Sequence, residues 1–568
     1  MATWKIKKSN PDIIKQLMKE FKVPKIIAMV MAGRGLKSLS NSKSFFNPTL
    51  KNLHDPFLMK NMKKAANLLK NKIIGKKKIF IFGDYDVDGT TGSSALYLFL
   101  NSIDCDAKIY IPHRISEGYG LSVKGINNAI EWGANLIISC DCGINAIQEV
   151  AYAKSKGLDI IVTDHHTPDT NLPAADAIIN PNQTDCQYPF KGLCGGAVIF
   201  KLMQAVSKLL NLHDQEIFEY LDLITLGTSS DVVPLIDENR IIVKQGLSKL
   251  FETRKPGLRA LLEISGLNEK ELSVEGIIFQ LAPIINAAGR LGDPNRVIKL
   301  FSTESYSEAQ KLTHELDNEN KKRRKMQHSI LEESIRRIHS EVDLKKEKAI
   351  VLWDENWHEG IVGIVAAQIK EIYHRPTILI SLNGGIGKGS ARSIPGFNLF
   401  NNLYKCKETL MSFGGHPMAA GLTLNQNKLL YFKKSFLKLA STILKDKDLV
   451  NSLDIEGELD LNLIHSSDSR FMNFLDKLGP FGPENEAPIF ITRNVQPLKN
   501  LKLIGKKGEH IKFSVRHNNS TITAIGFNKG KDDEKISKSK SIDIAYVVEK
   551  NYWRGNTSIQ LNIKDIKF

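Results

Sequence analysis

The sequence predicts an α/β protein built from several modules: a doubly wound parallel sheet, a long connecting helix, a second and smaller α/β module, and a C-terminal β-barrel. Three observations predict this order. Short, continuously apolar runs alternate with helical stretches, a charged stretch without Pro or Gly follows them, and alternating segments separated by polar turns come last. A chain of 568 residues is too long for one hydrophobic core, and chains of this size usually divide into domains of about 100 to 200 residues.

Composition and charge indicate where the protein is located and which partners it could bind. Lys and Arg outnumber Asp and Glu, and the formal net charge is +16. This excess suits a polyanionic partner such as nucleic acid, but a Lys-, Asn- and Ile-rich composition bias explains it equally well. The start, "MATWKIKKSN", lacks the apolar core of a signal peptide, and no apolar run reaches the ~18 residues of a membrane span. We therefore expect a cytoplasmic protein without membrane contact. The cysteines contain no C-x-x-C pair, which argues against a zinc ribbon.

Four apolar runs in the first module are predicted to be buried parallel strands. They are "KIFIF" (78–82), "AKIYI" (107–111), "NLIIS" (135–139) and "LDIIVT" (158–163). Runs without polar alternation are typical of strands that are covered on both faces. The segments between them, such as "TTGSSALYLFLNS", have the length and periodicity of crossover helices, which predicts the doubly wound sheet. Ligands of such sheets lie beyond the carboxyl ends of the strands.

Acidic and histidine residues follow these strands or a nearby helix. They are Asp84, Asp86, Asp88, Asp141, Asp164, His165, His166 and Asp231. One acidic residue in such a place usually caps a helix or begins a turn. Several loops that meet at one sheet edge would instead collect carboxylates that repel one another unless cations lie between them. Oxygen-rich sites favour hard divalent ions, and the neighbouring histidine favours Mn²⁺, with Mg²⁺ as the alternative.

These residues lie in motifs that resemble a known superfamily. "GDYDVDG", "CDCG", "TDHH" and "SSDVVPL", in this order and spacing, are similar to the four motifs of the DHH phosphoesterases. "NPNQTDCQYPFKGLCGGAV", "INAAGRLGDP", "WHEGIVGIVA", "GSARSIPGFNL" and "SFGGHPMAAGL" further resemble the RecJ family of single-strand-specific 5′ to 3′ exonucleases. Departures are few: Val87 stands where the family usually has Ala, and Glu484 and Ala487 depart from its Gly- and Pro-rich form.

The resemblance implies a site with two ions, either Mn²⁺ or Mg²⁺. The residues expected to bind the metal directly are Asp86, Asp88, Asp141, His165 and Asp231. Those expected to complete the catalytic site, by orienting ligands or contacting the scissile phosphate, are Asp84, Asp164 and His166. Those expected to bind the substrate are Arg290, Ser390, Arg392, Gly414, Gly415 and His416. A two-ion site suits in-line displacement at phosphorus, with water as the nucleophile.

The middle of the chain predicts a long bridging helix and a second α/β module. "EAQKLTHELDNENKKRRKMQHSILEESIRRIHSEV" carries sparse apolar residues at helical spacing. Its basic run, residues 321–325, is interpreted as a solvated helix face rather than as a contact to DNA phosphates. The Gly-rich stretches "GGIGKGSARS" and "FGGHPMAAG" are either plain turns or loops whose amides approach an anion. The resemblance implies that they form the pocket for the DNA 5′ end.

The end of the chain predicts a small antiparallel barrel, because "IKFSV" and "TITAIGF" alternate and polar turns separate them. Basic residues near Phe513 form one candidate surface: Lys502, Lys506, Lys507, Lys512 and Arg516. A second candidate surface is Tyr552, Trp553 and Arg554. Oligonucleotide-binding (OB) folds use this combination, with cations along the phosphates and rings stacked on bases, and the resemblance favours that version of the barrel.

The expected division of the chain follows from these modules. It comprises an N-terminal segment (1–60), a DHH phosphoesterase domain (61–303), a connecting helix (304–346), a DHHA1-like domain that binds the substrate end (347–445) and an OB-like nucleic-acid-binding domain (455–568).

The expected function is a metal-dependent exodeoxyribonuclease that hydrolyses single-stranded DNA from its 5′ end to 5′-mononucleotides, in recombination and repair. The expected partners are single-stranded DNA with a 5′ end and, by resemblance, single-stranded-DNA-binding protein and a RecQ-type helicase; we expect a monomer. Three alternatives remain. A DHH phosphodiesterase of short oligoribonucleotides or cyclic dinucleotides would lack the barrel, a pyrophosphatase would need neither barrel nor basic surface, and a non-catalytic replication or repair scaffold would lose metal ligands.

Overall fold

The computed structural model describes residues 2–114, 117–267, 272–464, 469–553 and 556–568. The chain forms two compact units. The larger unit contains Ile6–Asp317 and Ile455–Phe568, and the smaller unit contains Asn318–Asp454 together with the start of the chain up to Lys5. Among the described residues, no helix is both long enough and apolar enough to cross a membrane.

The described part of the N-terminal segment contains a short strand and three α-helices, followed by the 3-10 helices Leu50–Asn52 and Pro56–Leu58. The strand and the α-helices are β1 (Thr3–Ile6), α1 (Pro11–Phe21), α2 (Lys25–Gly33) and α3 (Leu39–Phe46). Helix α1 begins at a side-chain cap, because Asn10 accepts a hydrogen bond from the Asp12 N–H. The apolar faces of α1 and α2 do not form a core of their own. They share one hydrophobic core with the C-terminal barrel, in which Leu17 and Met31 are fully buried.

The first sheet has five parallel strands, in the order β3-β2-β4-β5-β6. Its elements are α4 (Met62–Ile74), β2 (Ile79–Gly83), α5 (Val87–Ser102), β3 (Ala107–Tyr110), α6 (Val123–Trp132), β4 (Leu136–Cys140), α7 (Ile147–Ser155), β5 (Asp159–Thr163) and β6 (Ala177–Ile179). The predicted doubly wound sheet is confirmed, and β6 is an additional short strand at its edge. The chain reverses its winding direction between β2 and β4, where sheets of this type bind ligands.

A group of helices continues the larger unit. They are α8 (Gly195–Leu210), α9 (Asp214–Phe218), α10 (Leu221–Ser230), α11 (Asp237–Phe251), α12 (Pro256–Ser265), α13 (Val274–Gly276), α14 (Ala282–Leu291) and α15 (Asn295–Ser302). A π-helical stretch, Ile277–Leu281, joins α13 to α14. Helices α8 and α10 pack against α5 and are buried almost all round, as expected of apolar helices inside a domain.

The predicted long helix is α16 (Tyr306–Glu341). In its basic run, Lys321, Lys322, Arg324 and Lys325 are exposed as expected. Arg323 is different, because only 8% of it is exposed and its guanidinium donates hydrogen bonds to Asn320 and Gln327. The exposed side chains are available to solvent or to a phosphate, so the solvated-face interpretation stays a prediction, whereas Arg323 is held within the protein.

The smaller unit is built on a mixed sheet in the order β10-β11-β9-β8-β7. Its elements are β7 (Ile350–Asp354), α17 (Glu359–Tyr373), β8 (Thr377–Asn383), β9 (Ile386–Arg392), α18 (Leu399–Lys405), β10 (Ser412–Gly415), β11 (Ala419–Asn425), α19 (Leu429–Ile443) and β12 (Ser452–Ile455). Strands β7 and β8 are parallel, and the other neighbours in this sheet are antiparallel. Strand β12 pairs with β1.

The C-terminal segment forms a closed barrel. Its elements are β13 (Gly457–Glu458), α20 (Arg470–Leu478), β14 (Phe490–Pro497), β15 (Lys502–Ile504), β16 (His510–His517), β17 (Ser520–Gly526), α21 (Asp533–Lys538), β18 (Ile542–Trp553) and β19 (Asn556–Lys567). Strand β14 pairs with both β18 and β16, which closes a ring through β19 and β17. The ring is mostly antiparallel, as predicted, but β17 and β19 are parallel.

Candidate active site

The first acidic motif lies where β2 passes into α5. Asp86 is the N-cap of α5, and its Oδ1 accepts a hydrogen bond from the Gly89 N–H at 3.0 Å. Gly89 is required here, because a Cβ at this position would lie 2.6 Å from the backbone oxygen of Asp84. Asp84 and Asp88 are almost completely buried. The tight turn therefore directs several carboxylates into the protein at the end of one strand.

The "TDHH" motif follows β5 and is organised around Asp164. Its Oδ1 accepts hydrogen bonds from the N–H groups of His165 and His166 and lies 2.7 Å from the Nδ1 of the His166 ring. Its Oδ2 accepts a hydrogen bond from the Ile144 N–H at 2.9 Å. Both carboxylate oxygens of Asp164 thus form hydrogen bonds within the protein, and Asp164 fixes the orientation of the His166 ring.

The remaining predicted ligands meet at His165. Its Nε2 lies 3.2 Å from Asp141 Oδ1 and 3.5 Å from Asp231 Oδ2. Asp141 follows β4 with a left-handed φ of 62°, and Asp231 ends α10. Among the residues that the structure describes, three groups have candidate ligand atoms within 4.8 Å of one another: Asp141, His165 and His166; Asp88, His165 and Asp231; and Asp84, Asp86 and Asp141. The structure therefore brings together all eight acidic and histidine residues predicted for this site.

Burial and mutual repulsion disfavour the charged forms of these carboxylates. Burial raises the pKa of Asp84 and of Asp141 well above the usual value, and neighbouring aspartates add to it. The pKa of Asp88 rises to about 8, through burial and then through the charges of Asp231 and Asp86. A cluster of this kind is stabilised in its charged form only when cations neutralise it.

The two histidines have pKa values shifted in opposite directions. Burial acts to lower the pKa of His166, but its hydrogen bond to Asp164 and the charge of Asp164 outweigh burial and raise the pKa to about 9. Burial lowers the pKa of His165, which favours the neutral imidazole that binds metals.

Unused acceptor atoms provide a test of whether a metal fits. Among the described residues of this site, buried oxygens of four carboxylates accept no hydrogen bond: Asp84 Oδ1, Asp88 Oδ2, Asp141 Oδ1 and Asp231 Oδ2. Buried polar atoms in proteins normally have partners. Carboxylate oxygens with one neutral imidazole are the ligand set that suits Mn²⁺, or Mg²⁺ less strongly. The residues present therefore fit divalent metal binding.

A cavity of about 240 Å³ opens beside these carboxylates. Its lining residues are Asp84, Tyr85, Asp86, Arg114, Tyr119, Asn286, Gly289 and Arg290. The predicted substrate-binding residue Arg290 thus lies at the same cavity as Asp84 and Asp86. The Arg114 guanidinium lies 5.1 Å from the centre of the Tyr85 ring.

Sequence reasoning missed several residues of this cavity, among them Arg114, Tyr119 and Asn286. The Tyr119 hydroxyl donates a hydrogen bond to the backbone oxygen of Asp141 at 2.9 Å. Arg114 follows β3, so its position after a strand was the available signal. Asn286 carried no such signal, because it lies on the helix α14.

The other predicted substrate-binding residues lie in the smaller unit. Ser390 and Arg392 are on β9, and the Arg392 Nη1 donates a hydrogen bond to Ser390 Oγ at 3.1 Å. Gly414 and Gly415 are on the edge strand β10, and the exposed His416 follows it. Strand β11 separates the two groups, since Gly421 pairs with Ser390 on one side and with Gly414 on the other.

The Gly-rich stretches are strands as well as loops. Gly384 and Gly385 turn the chain with φ of 55° and 80°, but Gly387 and Gly389 lie within β9. A Cβ at Gly389 would lie 2.9 Å from side-chain atoms of Ile380 and Leu422. Glycine there permits close packing inside the sheet rather than the approach of an anion.

The predicted barrel surfaces differ from one another. Lys502, Lys506, Lys507, Lys512 and Arg516 are exposed. Phe513 is 1% exposed and belongs to the core shared with the N-terminal helices, so it does not reach a base. In the second predicted surface Tyr552 is half-buried, and the Trp553 side chain and Arg554 lie outside the described residues.

Family models match three parts of the chain. The DHH family N-terminal domain matches residues 78–228, the DHHA1 domain matches residues 346–446, and the RecJ OB domain matches residues 455–565. The predicted fold class agrees with these matches and with the observed sheets.

Relatives and solved structures agree with the family models. The single-stranded-DNA-specific exonuclease RecJ of Bacillus subtilis (strain 168) is 37% identical over 564 residues, covering 99% of this chain and 70% of that protein. The protein of the same name from Escherichia coli (strain K12) is 32% identical over 565 residues, covering 96% of each chain. The crystal structure of RecJ in complex with Mn²⁺ from Thermus thermophilus matches with a TM-score of 0.84 at 28% identity, covering 100% of this chain and 79% of that one. With these matches along nearly its whole length, the chain belongs to the RecJ family of single-stranded-DNA-specific exonucleases.

Proposed function

We propose that this protein is an exonuclease that hydrolyses single-stranded DNA from the 5′ end and releases 5′-mononucleotides. The observation that carries the proposal is the set of buried carboxylate oxygens without hydrogen-bond partners among the described residues, at the point where the first sheet reverses its winding direction. Membership of the RecJ family gives the substrate class, because its curated relatives are named single-stranded-DNA-specific exonucleases. A scaffold that had lost catalysis would not retain all the metal-ligand candidates.

The proposed ligands of the divalent ions, Mn²⁺ or Mg²⁺, are Asp86, Asp88, Asp141, His165 and Asp231. Asp141 and His165 support a two-ion site, because each belongs to two of the groups of neighbouring ligand atoms. Solved structures of RecJ from Thermus thermophilus contain Mn²⁺ or Mg²⁺. When bound, such ions lower the pKa of water and neutralise charge that develops at phosphorus.

The other side chains of the site have positioning roles in this proposal. Both carboxylate oxygens of Asp164 form hydrogen bonds, so Asp164 orients His166 and the backbone of the "TDHH" segment. Asp84 supports Asp86 and Asp141 within one group of carboxylates. Arg290 lines the cavity beside them, where a guanidinium can bind a phosphate through two parallel hydrogen bonds. The scissile phosphodiester would therefore be held by Arg290 on the side of Asp84 and Asp86.

Recognition of the 5′ end is assigned to the smaller unit. The proposed residues are Ser390, Arg392, Gly414, Gly415 and His416. The hydrogen bond between Arg392 and Ser390 restricts the guanidinium, and the exposed backbone at Gly414 leaves open space for a ligand. These are the features expected of a terminal phosphate site.

We assign to the barrel the binding of the single-stranded DNA beyond the scissile bond, which is called the trailing strand here. The barrel's exposed lysines and Arg516 can follow phosphates, whereas Phe513 is excluded from base stacking by its burial.

We extend the proposal to the domain division given under "Sequence analysis", a cytoplasmic location, a monomeric state and a role in recombination and repair. Single-stranded-DNA-binding protein and a RecQ-type helicase are the proposed protein partners.

Digestion of end-labelled strands tests the proposal. With Mn²⁺ present, a strand labelled at its 5′ end should release labelled mononucleotide from the first time points, and the same strand labelled at its 3′ end should release it last. Chelation of the metal should stop both reactions. Early release of a 3′ label, or equal degradation of blunt duplex, would contradict the proposal.

A further inference from the structure

Two arginines come together inside the larger unit, far along the chain from each other. Arg34 ends helix α2 and Arg240 lies on α11. Both guanidinium groups contact the segment around the end of α20: Arg240 Nη2 donates to the backbone oxygen of Lys477 at 2.9 Å, and Arg34 Nε donates to Asn485 Oδ1 at 2.7 Å. Asn485 in turn donates to the backbone oxygen of Leu478 at 3.0 Å. One short chain of contacts therefore joins the two arginines.

Among the described residues, neither guanidinium forms an ion pair with a carboxylate. Arg240 is 2% exposed. Within the described part of the chain, no carboxylate oxygen lies within 4.0 Å of either guanidinium. Glu456 and Glu486 are close enough to act on Arg34 through charge, but Glu456 is already paired with Lys7 at 2.8 Å. Buried charges in proteins are normally paired, because removing an ion from water is energetically unfavourable.

The guanidinium groups also have unused donors. Considering only the described residues, Arg240 Nε, Arg240 Nη1 and Arg34 Nη1 are buried and donate no hydrogen bond. Aromatic rings cover the flat faces instead: Arg240 lies 4.0 Å from the centre of the Phe45 ring, and Arg34 lies 5.9 Å from that of Phe481. Stacking on a ring does not satisfy donors in the plane of the guanidinium.

The surrounding charges are positive as well. Lys244 lies one turn further along α11, and burial followed by the charge of Arg240 lowers its pKa. Burial followed by the charge of Arg34 lowers the pKa of Arg240 to about 10. Asp476, the acidic residue that acts on Lys244, is bonded to Lys550 at 2.6 Å.

We propose that Arg34 and Arg240 form a binding site for a small inorganic anion, either chloride or a phosphate-type oxyanion. The unused in-plane donors supply its hydrogen bonds, and its charge neutralises the buried pair. The site lies where the N-terminal helices, α11 and the start of the barrel segment meet. The anion therefore stabilises the packing of these elements, independently of the nuclease function. A longer polyanion is excluded as the ligand because Arg240 is almost inaccessible.

Anomalous diffraction gives a direct test on the wild-type chain. Crystals soaked in bromide should show an anomalous peak between the two guanidinium groups if the site takes a halide. Crystals grown in phosphate should show a tetrahedral density there if it takes an oxyanion. Ordered water in both cases would overturn the proposal.

Thermal unfolding tests it in solution at constant sodium concentration. Replacing gluconate, a bulky organic reference anion, by chloride or phosphate should raise the apparent Tm by about 2 °C and should saturate. The effective anion identifies the ligand. Equal melting in all three salts would contradict an anion site.

Variants separate this site from other anion effects. Arg34→Gln and Arg240→Gln should each abolish the anion-specific rise in Tm. Arg34 is only half-buried, so Arg34→Gln is the variant expected to fold if Arg240→Gln does not. Arg259→Gln is the matched control, because Arg259 is exposed and lies over the Tyr306 ring. A rise that persists in Arg34→Gln would place the anion elsewhere.

Discussion

Asp86 belongs both to the fold and to the site, because it caps α5 and also lies within reach of Asp84 and Asp141. A change at Asp86 would therefore alter helix stability and the site together. A substitution at Asp88 can alter metal binding with less effect on helix stability. The Oδ1 of Asp88 accepts a hydrogen bond from the Gly196 N–H at 3.1 Å, while its Oδ2 accepts none from the described residues. Asparagine can keep the first contact and remove the charge.

We expect Asp88→Asn to reduce single-turnover hydrolysis by more than about a hundredfold, the upper range for residues that only support a ligand. Its Mn²⁺ affinity, measured by calorimetry, should fall in parallel. In the absence of metal its Tm should be unchanged or higher, because one repelling carboxylate has been removed. Asp159→Asn is the control, since Asp159 lies at the opposite end of its strand and pairs with Lys72. Wild-type hydrolysis by Asp88→Asn would remove Asp88 from the metal site.

Arg392 provides a second prediction for a single residue. Arg392→Ala should keep Mn²⁺ affinity, lose most of its exonuclease efficiency and lose any preference for a 5′ phosphate over a 5′ hydroxyl, because the variant cannot form the proposed hydrogen bonds to the terminal phosphate. Steady-state kinetics on matched strands, with a melting curve, measure this. Arg337→Ala, whose guanidinium pairs with Glu341 in the same unit, should keep the preference. A folded Arg392→Ala protein with the wild-type preference would show that the 5′ end is recognised elsewhere.

Among the elements, helices α8 and α11 are joined by a buried ion pair. Lys201 Nζ lies 2.8 Å from Glu238 Oε1, and both side chains are fully buried. Glu238 also accepts hydrogen bonds from the Tyr188 hydroxyl and the His54 N–H. Breaking one partner of such a pair leaves a buried charge without compensation.

Lys201→Met should therefore lower the free energy of unfolding of the larger unit by about 3 to 5 kcal/mol, measured by urea denaturation. The double variant Lys201→Met/Glu238→Gln should recover part of the loss, because no buried charge remains. Lys208→Met on the same helix should cost less than about 0.5 kcal/mol, since Lys208 is exposed. A double variant no more stable than Lys201→Met would show that packing, not charge, explains the loss.

The elements also show how far the sequence alone was informative. Strands β2 and β4 were predictable because each is a continuous apolar run, buried along its whole length. The short strand β6 was missed because three residues carry too little pattern. Gly389 was assigned to a loop because its reason for being glycine, contact with Ile380 and Leu422 on neighbouring strands, depends on sheet pairing.

The residues of the site likewise divide into those that the sequence predicts and those that only the tertiary fold brings together. Asp84, Asp141 and His165 were predictable because each follows a strand, and the ends of parallel strands meet at one edge. Tyr119 and Asn286 join the cavity only through the tertiary fold. Phe513 was misread, since an alternating strand exposes one face only and Phe513 lies on the other.

At the scale of the whole molecule, the N-terminal helices and the barrel cannot be separated without loss of a core. Leu17 and Met31 pack in the same hydrophobic cluster as Phe490 and Val515 of the barrel. Removing the barrel would therefore expose these side chains, and any loss of DNA binding in a truncated chain would be confounded with unfolding. Surface charge changes test the function of the barrel without this difficulty.

We expect the combined variant Lys502→Gln/Lys506→Gln/Lys507→Gln/Lys512→Gln to bind long single strands more weakly than wild type. If all four lysines contact phosphates, the slope of log affinity against log salt should become shallower by about 3, at ~0.7 per phosphate on single strands. Hydrolysis of strands too short to reach the barrel should be unchanged. Fluorescence anisotropy across a salt series and short-strand kinetics measure the two effects.

The control carries the same loss of charge outside the barrel. Lys63, Lys64, Lys76 and Lys77 are exposed and lie in or just after α4, outside the barrel. Because both variants remove four positive charges, a general electrostatic attraction would flatten the salt dependence equally in both. If the trailing DNA strand binds along the barrel, the salt dependence should become shallower only in the barrel variant. Equal slopes in the two variants would contradict the assignment of the trailing strand to the barrel while leaving the metal site untouched.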